Sequence, residues 1–449
     1  MSLPRPAAVS ASPPRTPHRA EWFHWLLTGV VSAAFAGSGV ALAAVSFALP
    51  GIRREWALTP LGLSTIAAAV SAGQVFGAVV MGWLADHVGR RGVFAATIAL
   101  SALATGAAGL APNAWIIGVL IFAVGFGMSG VGPVAASLLS EFAPARIRGQ
   151  LMAWTQVCWA TGWCLIAAGG AAFTAGLGWR WILGLGLLPL VTALLAWKLT
   201  PESPRYLLAH GRRAEAQALR GALEQRYGVR LSLPEQQQAK RRASPLDSLR
   251  ELWGPRLRTR TATLWLTWFV MVAAFNGPII WLPAMLAASG GSDALAARSS
   301  LLVGLFMLPG GLLSVLLIDR AGRRPLLLAS LGVAALGTFG LAPAGPDLVI
   351  ILSGGALAGG LLAAWPIMLG YTAELYPTRM RATAAGWAGA VSRSGGIIAP
   401  LLLGALLRTW DSSLTFALAV FGGLLLLVVA LVALLGEETS GRTLEELSG

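Results

Sequence analysis

Residues 370–400 read GYTAELYPTRMRATAAGWAGAVSRSGGIIAP. Glu374, Pro377, Arg379 and Arg381 form a charged corner, and a run of small and apolar residues follows with one full charge near its middle, Arg393. An Arg at the centre of a bilayer costs about 2.5–3.5 kcal/mol on insertion scales, so it is expected to face a bundle interior or a wet cavity. The stretch is therefore read as a membrane-spanning helix entered through a polar turn.

The rest of the chain agrees. Its 449 residues are 56% hydrophobic and only 12% charged, with mean hydropathy +0.71. A soluble chain would carry roughly a quarter charged residues. The apolar residues come in runs of about 20, the length of helix that crosses ~30 Å of hydrocarbon. Twelve spans can be drawn: 22–49, 59–84, 92–111, 114–140, 149–174, 179–199, 261–288, 296–318, 325–342, 347–373, 382–407 and 412–436. This predicts an all-α membrane protein with a disordered cytoplasmic segment over 1–21 and a six-helix bundle over 22–199. A linker with short helices follows over 200–260, then a second bundle over 261–436 and a cytoplasmic tail over 437–449. The first run exceeds a signal-peptide core and more spans follow it, so no cleaved leader is expected.

A net charge of +14 would suit nucleic acid, but its distribution argues otherwise. Of 33 Lys and Arg, only Arg53, Arg54, Arg180, Arg298 and Arg408 fall in loops on one side, and Arg393 lies within a span. All others fall on the opposite side, which the positive-inside rule assigns to the cytoplasm together with both termini. The run Lys240-Arg241-Arg242 in the linker is expected to meet anionic lipid. Cys158 and Cys164 stand six residues apart in one helix, too far along the axis to pair. No zinc spacing, phosphate loop or nucleophile–base pairing occurs, so an enzyme, a metal and a cofactor are not expected.

The chain repeats itself. GWLADHVGRRG carries Asp86, Gly89, Arg90 and Arg91; LLIDRAGRRP carries Asp319, Gly322, Arg323 and Arg324, each 233 positions on. SEFAPARIRG carries Glu141, Pro144, Arg146 and Arg148; AELYPTRMRA carries Glu374, Pro377, Arg379 and Arg381, again 233 positions on. Two halves on one plan are a mark of carriers that alternate access around a midplane site. Arg393 breaks the symmetry, because its counterpart is Ala160. Asp86, Arg90, Glu141 and Arg148, and likewise Asp319, Arg323, Glu374 and Arg381, are expected to form charge latches between neighbouring helices, braced by Glu202 and Arg205. The competing reading is a static topological anchor.

The two D-x-x-G-R-R turns, the two E-x-x-P…R corners, PESPRYLLAHGRRAEA from Pro201 and ETSGRTLEEL near the end resemble the major facilitator superfamily. The pattern is similar to its branch of sugar porters, organic-ion transporters, nicotinate and aromatic-acid permeases and synaptic-vesicle-2-like proteins. The resemblance implies twelve helices in two pseudo-symmetric six-helix bundles. Sugar porters carry a Gln-rich seventh helix, whereas this one reads WLTWFVMVAAFNGPIIWLPAML with Asn276 alone, which argues against a sugar. The glycine-proline motif of the multidrug antiporters is also missing from helix 5. SRSGGIIAP resembles the context in which organic-anion carriers place an Arg. A guanidinium stays charged and grips a carboxylate through two parallel hydrogen bonds; the competing reading of Arg393 is a structural charge paired with a helix or backbone carbonyl. The resemblance further implies cavity positions at Trp159, Phe275, Asn276 and Trp365, where rings give stacking area. Against this, the chain holds 18 Trp, and Trp22, Trp25, Trp56 and Trp179 read as membrane-interface belts.

The expected function is secondary transport of a small organic anion, such as nicotinate or another aromatic monocarboxylate, across the cell membrane. The expected partners are that anion, membrane lipid and a proton as coupling ion, with no nucleic acid, and a monomeric state. One departure stands out. Proton-coupled relatives carry acidic residues in helix 1, where this chain has Ala36-Gly37-Ser38-Gly39. His24 could titrate but lies at the membrane edge. A proton-coupled drug or metabolite exporter, a sugar or polyol porter and a transport-dead solute sensor on the same fold remain alternatives.

Overall fold

A computed structural model describes residues 17–142, 148–227, 245–288, 293–341, 346–377, 380–407 and 414–439. The first half consists of α1 (Pro17–Glu55), α2 (Pro60–His87), α3 (Arg90–Ala108), α4 (Ala114–Met128), α5 (Val131–Phe142), α6 (Arg148–Leu185) and α7 (Pro189–Leu199). Three short helices connect the halves: α8 (Pro204–Ala209), α9 (Arg213–Tyr227) and α10 (Pro245–Leu252). The second half holds α11 (Arg258–Ala274), a π-helical turn (Phe275–Ile279), α12 (Ile280–Ala288), α13 (Asp293–Leu305) and α14 (Met307–Ala321). It continues with α15 (Arg323–Gly340), α16 (Asp347–Glu374), α17 (Arg381–Leu406) and α18 (Leu414–Leu435). The run Lys240-Arg241-Arg242 and most of the expected disordered segment lie outside the described residues; 17–21 already belong to α1.

Ten described stretches are long and apolar enough to cross a membrane by length and composition. The other two expected spans, 149–174 and 325–342, fall on α6 and α15. Helices are the form that satisfies every backbone group within one segment where no water is available. Their starts are written locally. The Thr59 hydroxyl accepts from the Gly62 amide at 3.1 Å with Pro60 in the first turn, and Asn113 Oδ1 accepts from the Ile116 amide at 2.9 Å. Gly178, at φ +75°, turns the chain between the fifth and sixth spans. In the seventh span Pro278 offers no N–H, and the backbone widens there into the π turn.

Small residues let the helices approach. A methyl on Gly39 would overlap the Trp159 carbonyl, and one on Gly162 the Ala36 carbonyl, so α1 and α6 touch backbone to backbone. Gly125 does the same for α4 against α2, and Gly310 for α14 against α16. This is how helices associate where lipid is as apolar as leucine.

The D-x-x-G-R-R turns lie together at one end, here called the basic end. The halves touch in the middle and toward the opposite, far end. Ser46 Oγ in α1 donates to the Ile280 carbonyl at 2.6 Å. Gly404 in α17 packs against Ser64 in α2, and Gly311 in α14 against Val157 in α6. At the basic end the last residues fold back onto the second half. Arg260 grips Glu437 through two bonds of 2.7 Å, and the Tyr371 hydroxyl donates to the Glu437 carbonyl at 2.5 Å.

Gly162→Val should force α1 and α6 apart and cost about 1–3 kcal/mol, as overpacking does. Gly118→Val, where an added methyl meets nothing within 4 Å, should melt close to the parent. Thermal unfolding of both variants in detergent checks the difference.

Candidate translocation site and charge clusters

Three helices from the two halves converge at Gly395 and Gly396 of α17. A methyl on Gly395 would overlap the Phe269 carbonyl of α11, and one on Gly396 the Ser71 hydroxyl of α2. Ser71 Oγ donates to Asn276 Oδ1 at 3.4 Å, and Asn276 Nδ2 donates to the Val272 carbonyl at 2.9 Å. Asn276 thus sits in the π turn with its amide used on both sides, linking the seventh span to the first half.

Arg393 lies three residues before Gly396, roughly 4.5 Å toward the basic end along the axis. It is half-buried, and its Nη1 donates to the Gly389 carbonyl of its own helix at 2.9 Å. Among the described residues no carboxylate stands within ion-pairing distance and no ring lies under the guanidinium. Most of its five N–H donors are therefore left over. Its helix face continues through Gly389 and Gly386. A methyl on Gly386 would meet nothing within 4 Å, and one on Gly389 would meet only Arg393 itself. At Gly386, toward the basic end from the Ser71–Asn276 contact, that face is open.

The aromatic candidates divide into two groups. Trp159 and Phe275 meet edge to face, with centroids 5.6 Å apart, so the first half touches the second through these rings. Trp163 adds a contact to Phe275 at 5.8 Å, and Phe47 packs on Trp163 at 6.4 Å. Trp365 on α16 meets Trp268 at 5.5 Å, and the Trp268 indole donates to Thr372 at 2.9 Å. Trp163 and Ser71 were not singled out from the sequence. Trp163 follows Trp159 by one helical turn, a legible signal; for Ser71 there was none.

The charge clusters have one design built twice. Gly89 stands at φ +114°, and Glu202 occupies the space where its side chain would be. Glu202 Oε1 accepts from the amides of Arg90, Arg91 and Ser203 at 2.8, 3.2 and 2.8 Å, placing an anion on the N-terminus of α3. Arg90 pairs with Glu141 at the end of α5, whose other oxygen accepts from the Ser203 hydroxyl at 2.6 Å. In the second half Gly322 stands at φ +83°, and Glu438 accepts from the amides of Arg323, Arg324 and Thr439 at 3.1, 3.1 and 2.9 Å. Arg323 pairs with Glu374 at 3.2 Å, and the Thr439 hydroxyl donates to Glu374 at 2.5 Å. Each ion pair lies within its own half.

Asp86 and Arg205 are exposed and partnerless among the described residues. Arg381 opens α17, half-buried; the side chains of Arg148 and Asp319 lie outside the described set. His24 meets the Phe142 carbonyl at 2.9 Å. Trp179 differs from the expected belt position. It is buried at 8% exposure, donates to Glu55 at 2.9 Å, and lies under the Arg180 guanidinium that also grips Glu55.

Residues 32–449 match the sugar (and other) transporter family. The chain belongs to that family, within the major facilitator superfamily. It is 34% identical to the niacin transporter NiaP of Acinetobacter baylyi over 433 residues, covering 95% of this chain and 96% of the relative. It is 30% identical to a putative niacin/nicotinamide transporter NiaP of Bacillus subtilis, covering 93% and 97%. A bovine synaptic vesicle 2-related protein is 27% identical, covering 95% and 80%. The inward-open structure of the xylose transporter XylE from Escherichia coli superposes with TM-score 0.75 at 19% identity, covering 95% of this chain and 99% of that one. The fold is thus the two-bundle architecture of this superfamily, and the protein is a multi-pass membrane transporter.

In this transporter Ser203, Glu438 and Thr439 complete clusters that the 233-residue repeat marks only in part. Glu438 stands 236 positions after Glu202, so three extra residues hide the correspondence. Removing an acceptor that serves several backbone amides leaves those amides unmet, at about 1–3 kcal/mol. Glu202→Ala and Glu438→Ala should each lower the melting point by a matching amount, whereas Arg205→Ala should leave it unchanged. Thermal unfolding of the three purified variants measures this.

Proposed function

We propose that this transporter carries a small organic carboxylate, an aromatic one such as nicotinate, across the cell membrane by alternating access. The observation that carries the reading is Arg393: a half-buried guanidinium in a spanning helix whose protein bond goes to its own helix carbonyl, with no carboxylate in ion-pairing range among the described residues. A charge left in that condition is expensive. An arriving carboxylate would take two of its remaining donors in parallel and neutralise it. The Trp159–Phe275 pair, edge to face, and Asn276 supply aromatic edges and an amide at the contact between halves, and Trp365 a further ring on α16. Two similar proteins bear names as niacin transporters.

The Lys and Arg distribution supports a cytoplasmic basic end. The contacts at the far end then close the route from outside, and the space beside Gly386 and Arg393 is the route inward. Within each half the Arg–Glu pair holds the helix ends together, and Asp86 is the charge left to engage the opposite half when the basic end closes. A proton is the proposed coupling ion. Because helix 1 lacks the carboxylate, uptake should be compared in proteoliposomes with and without an inward proton gradient.

In a thermal-shift series, nicotinate and benzoate should stabilise the protein, by about 2.7 kcal/mol when the ligand stands at 100 times its dissociation constant. Arg393→Ala should lose most of that effect, and Arg393→Lys should keep part of it, since the charge remains without the fork. Tetraalkylammonium and xylose should not shift the parent. Equal stabilisation of parent and Arg393→Ala by carboxylates would remove Arg393 from the site.

A further inference from the structure

A groove of about 660 Å³ opens at the basic end of the first half, away from the interface between the halves. Leu84 and Val88 at the end of α2 form one wall, Trp197 at the end of α7 another, and Leu207 and Leu219 of α8 and α9 face them. Volumes of 300–1,000 Å³ are those of ligand sites. Val88 and Trp197 are exposed, so the apolar wall runs on to the outer surface of the spanning helices.

Arg91 stands in this groove. Its Nε donates to the Trp197 carbonyl at 2.7 Å, and its guanidinium lies 5.2 Å from the centroid of the Trp197 ring. Its two terminal nitrogens have no partner among the described residues. The acids that border the groove are already engaged. Glu202 serves backbone amides, and Glu215 is held by Arg212 through two bonds of 2.7 Å. The groove therefore presents a positive charge with donors to spare.

The second half supplies the contrast. Arg324 holds the position equivalent to Arg91, but its Nε donates to the Val432 carbonyl at 3.3 Å and its Nη2 to the Ala433 carbonyl. There two of the three guanidinium nitrogens are bonded to the last turn of α18, against one of three in Arg91. One repeat closes its second Arg onto backbone, and the other leaves it facing an apolar-walled recess.

We propose that this groove binds one anionic phospholipid of the leaflet at the basic end, its phosphate on the terminal nitrogens of Arg91 and its first methylenes along Leu84, Val88 and Trp197. Apolar walls that reach the lipid-facing surface fit an acyl chain, which a free phosphate lacks. An ammonium-bearing headgroup would bring a second cation beside Arg91, so net negative charge is preferred. The bound lipid would tie α8 and α9 to the ends of α2, α3 and α7. The site rests on the orientation proposed above but needs no transported solute, so its test and that of the carboxylate reading fail separately.

The experiment is native mass spectrometry of the full-length chain in detergent, titrated with phosphatidylglycerol, phosphatidylethanolamine or glycerol 3-phosphate. The parent should retain one phosphatidylglycerol about tenfold better than phosphatidylethanolamine, the scale of one charge-assisted contact, and retain no glycerol 3-phosphate. Arg91→Gln should reduce phosphatidylglycerol retention by about the same factor, and Arg324→Gln should not. Val88→Glu, at an exposed position, should match Arg91→Gln by putting a carboxylate at the mouth, and it decides the matter if Arg91→Gln does not fold. Equal retention of the two lipids by the parent, retention of glycerol 3-phosphate, or undiminished retention in Val88→Glu would each overturn the site.

Discussion

Backbone inside hydrocarbon has no water to bond, and that constraint governs this molecule. It makes every span helical and leaves packing to shape rather than to expulsion of water. Gly39, Gly125, Gly162 and Gly310 are the outcome, each bringing a helix against the carbonyls of its neighbour. It also makes any irregularity informative. The π turn at Phe275–Ile279 is tolerated because Asn276 bonds the Val272 carbonyl and Ser71 meets Asn276 in turn, and this same place joins the two halves.

At the basic end the solution is electrostatic. A glycine without a side chain turns the chain, and a carboxylate occupies the vacated space. It rests on the exposed amides of the next helix, where the helix dipole favours it. The following Arg then reaches the acid that ends the next span. Building this twice, once with Glu202 and Ser203 and once with Glu438 and Thr439, holds each six-helix half to its own extension. Two halves braced separately can move as bodies, which alternating access requires.

The frame was legible because its causes are local. Span length, the repeated D-x-x-G-R-R and E-x-x-P…R segments and the capping residues Thr59 and Asn113 are all written within short windows. The geometry around the proposed site was legible in part. Arg393 announces itself as a lone charge in a span, and Trp159 and Phe275 do meet. The contact of Trp365 with Trp268 was not legible, since two rings on different helices have no sequence relation that fixes their partners. Ser71 could not be found at all, because a buried hydroxyl looks the same whether it bonds its own helix or another. Trp179 read as an interface residue because composition cannot distinguish an indole at the membrane surface from one clasped by Glu55 and Arg180.

Each half takes its closing acid and hydroxyl from chain that directly follows its own last span: Glu202 and Ser203 after α7, Glu438 and Thr439 after α18. Neither borrows these groups from the other. A chain divided between α9 and α10 would leave both fragments with a complete set of counter-charges, so this transporter has the makings of a two-piece protein whose parts meet through apolar faces and the Ser46–Ile280 and Ser71–Asn276 hydrogen bonds.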